Sequence, residues 1–186
     1  MFEQLTQLVQ QFGQDDVVKN NAVPNEQNDA VMQEAGSSIF SSLQKMASEG
    51  EGIEKLAGLL QGNNAQNGSN PAVQEITQQL TGSLGEKFGL DSSTASGVAG
   101  SIIPKVLGGL VNKANDPNDS FQITDLIGAI SGGGAQTSGI MDTISKYGTQ
   151  FGLDQNADGK LDLSDAIAAT QNKGGIGGFL GKLFGK

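Results

Sequence analysis

The sequence predicts an all-α protein: a helical bundle with an internal duplication, followed by a C-terminal EF-hand-like helix-loop-helix. Three observations carry that expectation. Apolar residues recur at three- and four-residue steps in one segment after another, which is the spacing of a buried helix face. Helix start signals stand directly before such segments, as in Asn70-Pro71 and Asp91-Ser92-Ser93. The apolar spacing of the first sixty residues also returns in residues 71–131.

Taken in order, Leu5, Leu8, Val9 and Phe12 mark a short helix closed by Gly13, with Asp15-Asp16 opening a polar connector. Pro24-Asn25 signals the next helix, over about 26–47, with Met32, Ala35, Gly36, Ile39, Leu43 and Met46 as its inner stripe. Ala35 and Gly36 are small enough to let another helix approach there. A third helix covers about 53–60. Residues 63–70 are polar and offer no apolar anchor, so they read as a linker.

Asn70 then caps a helix carrying Val73, Ile76, Leu80 and Leu84 and ending near Phe88-Gly89. Asp91 caps another, with Ala95, Val98, Ala99, Ile102, Val106 and Leu110 inward. Pro104 falls inside that helix; it lacks a backbone donor and crowds the preceding turn, so a kink or a break is expected. After a turn over 115–119, Thr124 is the expected cap of a short helix carrying Leu126, Ile127 and Ile130, stopped by Gly132-Gly133-Gly134. Residues 1–62 and 71–131 thus form two three-helix repeats. Leu5, Leu8 and Phe12 match Val73, Ile76 and Leu80, and Ala35-Gly36-Ser37 matches Ala99-Gly100-Ser101. Leu43 and Met46 match Leu107 and Leu110, and Leu56 to Leu60 matches Leu126 to Ile130. Two such units facing each other would hide stripes that neither hides alone.

The run Leu84-Gly85-Glu86-Lys87-Phe88-Gly89-Leu90-Asp91-Ser92-Ser93-Thr94-Ala95-Ser96, with Ile103-Pro104-Lys105 further on, resembles the YidB-like family of bacterial proteins. The likeness is close over 71–131 and weak before 62, and it is not seen in the loop described next, which reads as an addition. It implies an all-helical fold and no particular activity.

A glycine-rich linker, 132–138, leads to a unit over 139–173. Its centre, Asp154 to Asp165, is a twelve-residue loop with oxygen donors at positions 1, 3, 5, 9 and 12, glycine at 6 and an aliphatic residue at 8. That is the EF-hand pattern for a calcium ion, with Asp in place of Glu at the last ligand. Asp154, Asn156 and Asp158 would converge through a tight turn that Gly159 permits. Lys160 would lend its backbone carbonyl, Asp162 would bind directly or through water, and Asp165 would close the site. Asp is one methylene shorter than Glu, so weaker calcium binding and more tolerance of magnesium are expected. Dockerin modules use a similar loop but in pairs; this chain has one. A lone loop needs a neighbour: either it docks on the helical body, or a second chain supplies the partner in a homo-oligomer or larger assembly. The tail, 174–186, places Ile176, Phe179, Leu180, Leu183 and Phe184 at helical spacing among six glycines. It suits packing on its own body, a partner or a second copy, and less well a membrane surface.

Composition narrows the function. The 186 residues carry 20 acids against 11 bases, a net charge of −9, and every base is lysine. Nucleic-acid binding draws on arginine and a basic face, and neither is present. Without His or Cys there is no thiol chemistry, no His-based catalysis and no His/Cys zinc site. No catalytic residue is assigned; a carboxylate or Ser/Lys enzyme is the alternative from another class. The start of the chain lacks the pattern of a secretory signal and no apolar run reaches ~18 residues, so the expected location is cytoplasmic. The expected role is a non-enzymatic calcium-binding structural or interaction protein.

Overall fold

The computed structural model describes residues 2–60, 63–116 and 118–132. The chain divides into two compact units, Met1–Thr137 and Ser138–Lys186. The second lies outside the described residues, and with it the expected EF-hand unit and tail.

The first unit is all-helical over the described residues. Helix α1 is Phe2–Gly13, α2 Asn28–Ser48, α3 Gly50–Leu59, α4 Pro71–Phe88, α5 Ser92–Asn115 and α6 Ile123–Ile130. Each apolar stripe read from the sequence points inward. Leu5, Ala35, Ile39, Val73, Ile76, Leu80, Leu84, Ile102 and Val106 are fully buried.

Local chemistry explains the boundaries. Asn70 Oδ1 accepts from the backbone N–H groups of Ala72 (2.9 Å) and Val73 (3.4 Å), and Pro71 fills the first helical position, where its missing N–H costs nothing. At the other end Gly89 takes a left-handed conformation, φ 66°, and its N–H reaches the Gly85 carbonyl at 3.1 Å. Leu90 N–H then returns to Leu84 O, so the chain reverses with its last carbonyls satisfied and both leucines buried. Asp91 at once caps α5, accepting from Ser93 and Thr94 N–H at 3.0 Å each.

Four expectations change. First, α1 does not stop at Gly13: Gln14–Val18 continues it as a π-helical turn that buries Val17. Second, the segment after α3 is anchored. Asn64–Gln66 forms a 3-10 turn packed on α5, with Ala65 buried and the Gln66 side chain lying where a Cβ on Gly108 would sit. Third, of the kink or break expected at Pro104, the break is absent: α5 is one continuous helix through it. Fourth, α6 begins earlier, with Gln122 as cap instead of Thr124; Asp125 accepts from the Gln122 N–H at 2.9 Å. The closest helix approaches also fall elsewhere than at Gly36. A Cβ on Gly13 would strike Met32, and one on Gly109 would strike Leu8 at 2.9 Å, whereas one at Gly36 meets only Val9 at 3.9 Å.

Packing is crossed between the triplets. Within each, the first helix lies on the second and the second on the third. Between them, α1 packs on α5 and α4 packs on α2. Where α2, α3, α5 and α6 meet, Leu43, Leu56, Leu60, Leu107, Leu126 and Ile130 surround a cavity of about 10 Å³. Its walls are wholly leucine, isoleucine and valine, so it is a dry seam of the core. Helix α5 is long and apolar enough by length and composition to cross a membrane. Here its apolar side, from Ala95 through Ala114, is buried in this core.

Leu107→Ala at the seam should cost about 2–5 kcal/mol, the lost burial plus the enlarged cavity, read from urea unfolding. Glycine substitutions should split by site in the same assay. Gly82→Ala and Gly100→Ala, with open space around the new Cβ, should stabilise by up to about 1 kcal/mol. Gly52→Ala should destabilise, because its Cβ would run into the backbone of Met46.

Candidate metal centre and the polar clusters of the helical body

The ligand set read from the sequence, Asp154, Asn156, Asp158, Lys160, Asp162 and Asp165, lies outside the described residues. Its donor chemistry fits a hard divalent cation: four carboxylates, one amide oxygen and one backbone carbonyl, with no nitrogen or sulfur ligand. Among the described residues no group of three acidic side chains is placed to hold a metal ion.

The body has its own polar clusters, and the following four join elements of different triplets. Asp16, in the π-helical turn after α1, has a side chain only 10% exposed. It accepts from Ser101 Oγ at 2.7 Å and from Lys105 Nζ at 2.7 and 2.8 Å, both on α5. Glu34 of α2 accepts from Lys87 Nζ at the end of α4 at 2.8 Å on both oxygens. So the C-terminal end of the first helix in each triplet is tied to the second helix of the other. Along the α2–α4 contact, buried Ser42 donates to Gln79 Oε1 at 2.8 Å, and Gln79 Nε2 reaches Ser41 Oγ at 3.3 Å. Lys55 of α3 pairs with Glu75 of α4 at 2.6 Å, with Lys45 of α2 at 3.7 Å from the same carboxylate.

Ser101, Lys105 and Asp16 form one cluster. The serine hydroxyl is spent on Asp16, and the lysine shares that same carboxylate oxygen. The arrangement is an interhelical tether. Asp16 was read from the sequence as connector because Gly13 suggested a stop. The signal for its role was the pair Val17-Val18 just beyond, an apolar step that keeps the chain against the core.

Hydrogen bonding shifts four carboxyls down, those of Asp15, Glu75, Asp91 and Asp119. The Lys55 ammonium bonded to Glu75 holds that carboxyl below its usual value, with the charges of Lys55 and Lys45 adding to the effect. The Thr94 hydroxyl and the N–H groups of Thr94 and Ser93 lower Asp91 likewise.

A groove of about 480 Å³ lies between α1 and α2. Val9, Met32 and Gly36 form its floor, Thr6 and Gln33 its walls, and Asp29 one end.

This body is an all-helical scaffold of two three-helix units packed crosswise, with its described polar clusters serving contacts and caps. The chain belongs to a bacterial protein family of unknown function, DUF937, whose profile matches residues 72–186. The match begins at α4 and runs past the twelve-residue loop to the last residue. The loop therefore falls within the matched span, where the resemblance read from the sequence ended near residue 131. No curated protein and no solved structure matches the chain.

The lowered carboxyls give a signed prediction. A carboxyl whose folded pKa lies below its unfolded value adds stability above the unfolded value, and that stability is lost as pH falls through the folded pKa. The ordinary values are 4.5 for Glu75 and 3.8 for Asp91. Urea midpoints should therefore be flat near neutrality and fall below about pH 4.5. Glu75→Gln and Asp91→Asn should each flatten that acid limb while lowering the neutral plateau.

Proposed function

We propose that this is a non-enzymatic calcium-binding structural and interaction protein that self-assembles, the metal stiffening its C-terminal unit. One observation carries the reading: the Asp154–Asp165 loop has an oxygen donor, glycine and aliphatic residue at each place where a calcium loop needs one. Asp154, Asn156, Asp158, Asp162 and Asp165 would hold the ion with the carbonyl of Lys160. Four carboxylates crowded into twelve residues repel one another until a cation joins them. Binding and local folding are therefore linked.

The body supports a scaffold role. We read it as a duplicated unit, α1–α3 and α4–α6. In favour stand the crossed helix contacts and the seam, whose walls include the sequence-matched pairs Leu43 and Leu107, Leu56 and Leu126, and Leu60 and Ile130. Assembly follows from the single loop, since such loops ordinarily pair, and from the apolar tail that follows it. Lacking His, Cys and Arg, the chain has few groups suited to catalysis near neutral pH. A cytoplasmic site of action fits this reading.

Calorimetry of calcium and of magnesium against wild type and Asp154→Ala tests it. Wild type should bind one calcium per chain, with magnesium weaker, and Asp154→Ala should lose binding at least tenfold. Asp165→Glu should tighten calcium and widen its margin over magnesium. Light-scattering masses with calcium and with chelator should differ. No heat above dilution in wild type would remove the metal from the proposal, and equal masses would remove its control of assembly.

A further inference from the structure

We infer that the groove between α1 and α2 is the docking site for residues 174–186 of a second copy of the chain. The inference rests on the self-assembly reading above and names the surface that it uses.

Charge and shape point to this occupant. Residues 1–132 hold fifteen acids against six lysines, and all six of those lysines are in ion pairs within the body. Asp29 at the end of the groove and Glu26 in the turn before it are exposed and make no ion pair among the described residues. The groove thus ends in uncompensated negative charge over the apolar floor of Val9, Met32 and Gly36. After Asp165 the chain has no acid at all and carries Lys173, Lys182 and Lys186. Helix α5 shares this combination, but its apolar side is buried in the body and both of its lysines, Lys105 and Lys113, are in ion pairs.

The lengths agree. The α2 wall from Asp29 to Ser37 spans about 12 Å, roughly two helical turns at 1.5 Å per residue. As a helix, two turns of the tail would carry Phe179, Leu180 and Leu183 on one face by their spacing, with Lys182 and Lys186 beside it. Six glycines leave a helix of this sequence weak in isolation, so its apolar face needs a surface to fold upon. Gly36 makes the floor receptive. It is the one helical glycine lining the groove, and a Cβ there would meet only Val9, at 3.9 Å.

The experiment is sedimentation velocity on the full chain with three variants. Gly36→Leu puts a side chain into the groove while raising helix propensity, so thermal unfolding should show the fold kept. Asp29→Lys/Gln33→Lys reverses the charge of the groove, and Lys182→Glu/Lys186→Glu that of the tail. Wild type should associate with rising concentration, and each variant alone should associate at least tenfold more weakly. Mixing the two charge variants should restore association between unlike chains, because a positive groove then meets a negative tail. Association of Gly36→Leu and of Asp29→Lys/Gln33→Lys at the wild-type level would overturn the groove while leaving self-assembly standing. A wild type that stays monomeric would overturn both. Flotation of that monomer on anionic vesicles, lost on deleting 174–186, would assign the tail to a lipid surface instead.

Discussion

The helical body depends on one arrangement, the exchange of first helices between triplets. Each triplet alone exposes an apolar face: α2 beyond what α1 and α3 cover, and α5 beyond what α4 and α6 cover. Laying α4 on α2 and α1 on α5 closes both faces at once. At about 25 cal/mol per Å² of apolar surface, that closure outweighs anything the exposed ion pairs add. The tethers from Asp16 to Ser101 and Lys105, and from Lys87 to Glu34, then act mainly as registers. They are oriented bonds, one at each of the two crossed contacts, and each would be broken by a shift of a helical turn.

Glycine placement serves the same arrangement. Gly13 lets α1 close on Met32 of α2, and Gly109 lets Leu8 and Phe12 of α1 settle on α5. These two glycines lie at the places where α1 reaches into both triplets. Gly82, Gly97 and Gly100 have open space around them, so close packing does not require their small size. The same residue type is therefore structural in one set of positions and substitutable in the other, and only the neighbours reveal which.

How much was legible follows from how far each signal reaches along the chain. Stripes such as Val73, Ile76, Leu80 and Leu84 are set by helix period alone, and the caps at Asn70 and Asp91 by hydrogen bonds two or three residues away. Both kinds of local signal were readable. The π-helical turn after Gly13 was not, because Val17 is drawn to a core that the sequence does not display. The anchoring of Ala65 was hidden for the same reason: one alanine among polar residues carries no periodicity. Thr124 looked like a cap by residue type, yet Gln122 holds the position because Asp125 reaches back to its N–H. The twelve-residue loop Asp154–Asp165 is the opposite case. The ligands expected of it sit within twelve residues, so its pattern is readable although its geometry lies outside the described residues.

The family match adds a boundary to this physics. It starts at residue 72, the second residue of α4, and so takes in α4–α6, the loop and the tail but none of α1–α3. In this chain the apolar faces of α4–α6 are closed by the preceding triplet. A polypeptide made only of the matched span would have to close them by other means, and the crossed geometry is of the kind that a second copy of one triplet could satisfy. Under the proposed duplication, α1–α3 stand in the place of a subunit. The groove between α1 and α2 then belongs to the first triplet, while the lysine-bearing tail belongs to the span matched by the family. The docking proposed above would be a head-to-tail contact. Such contacts close into rings or run on as filaments according to their rotation alone.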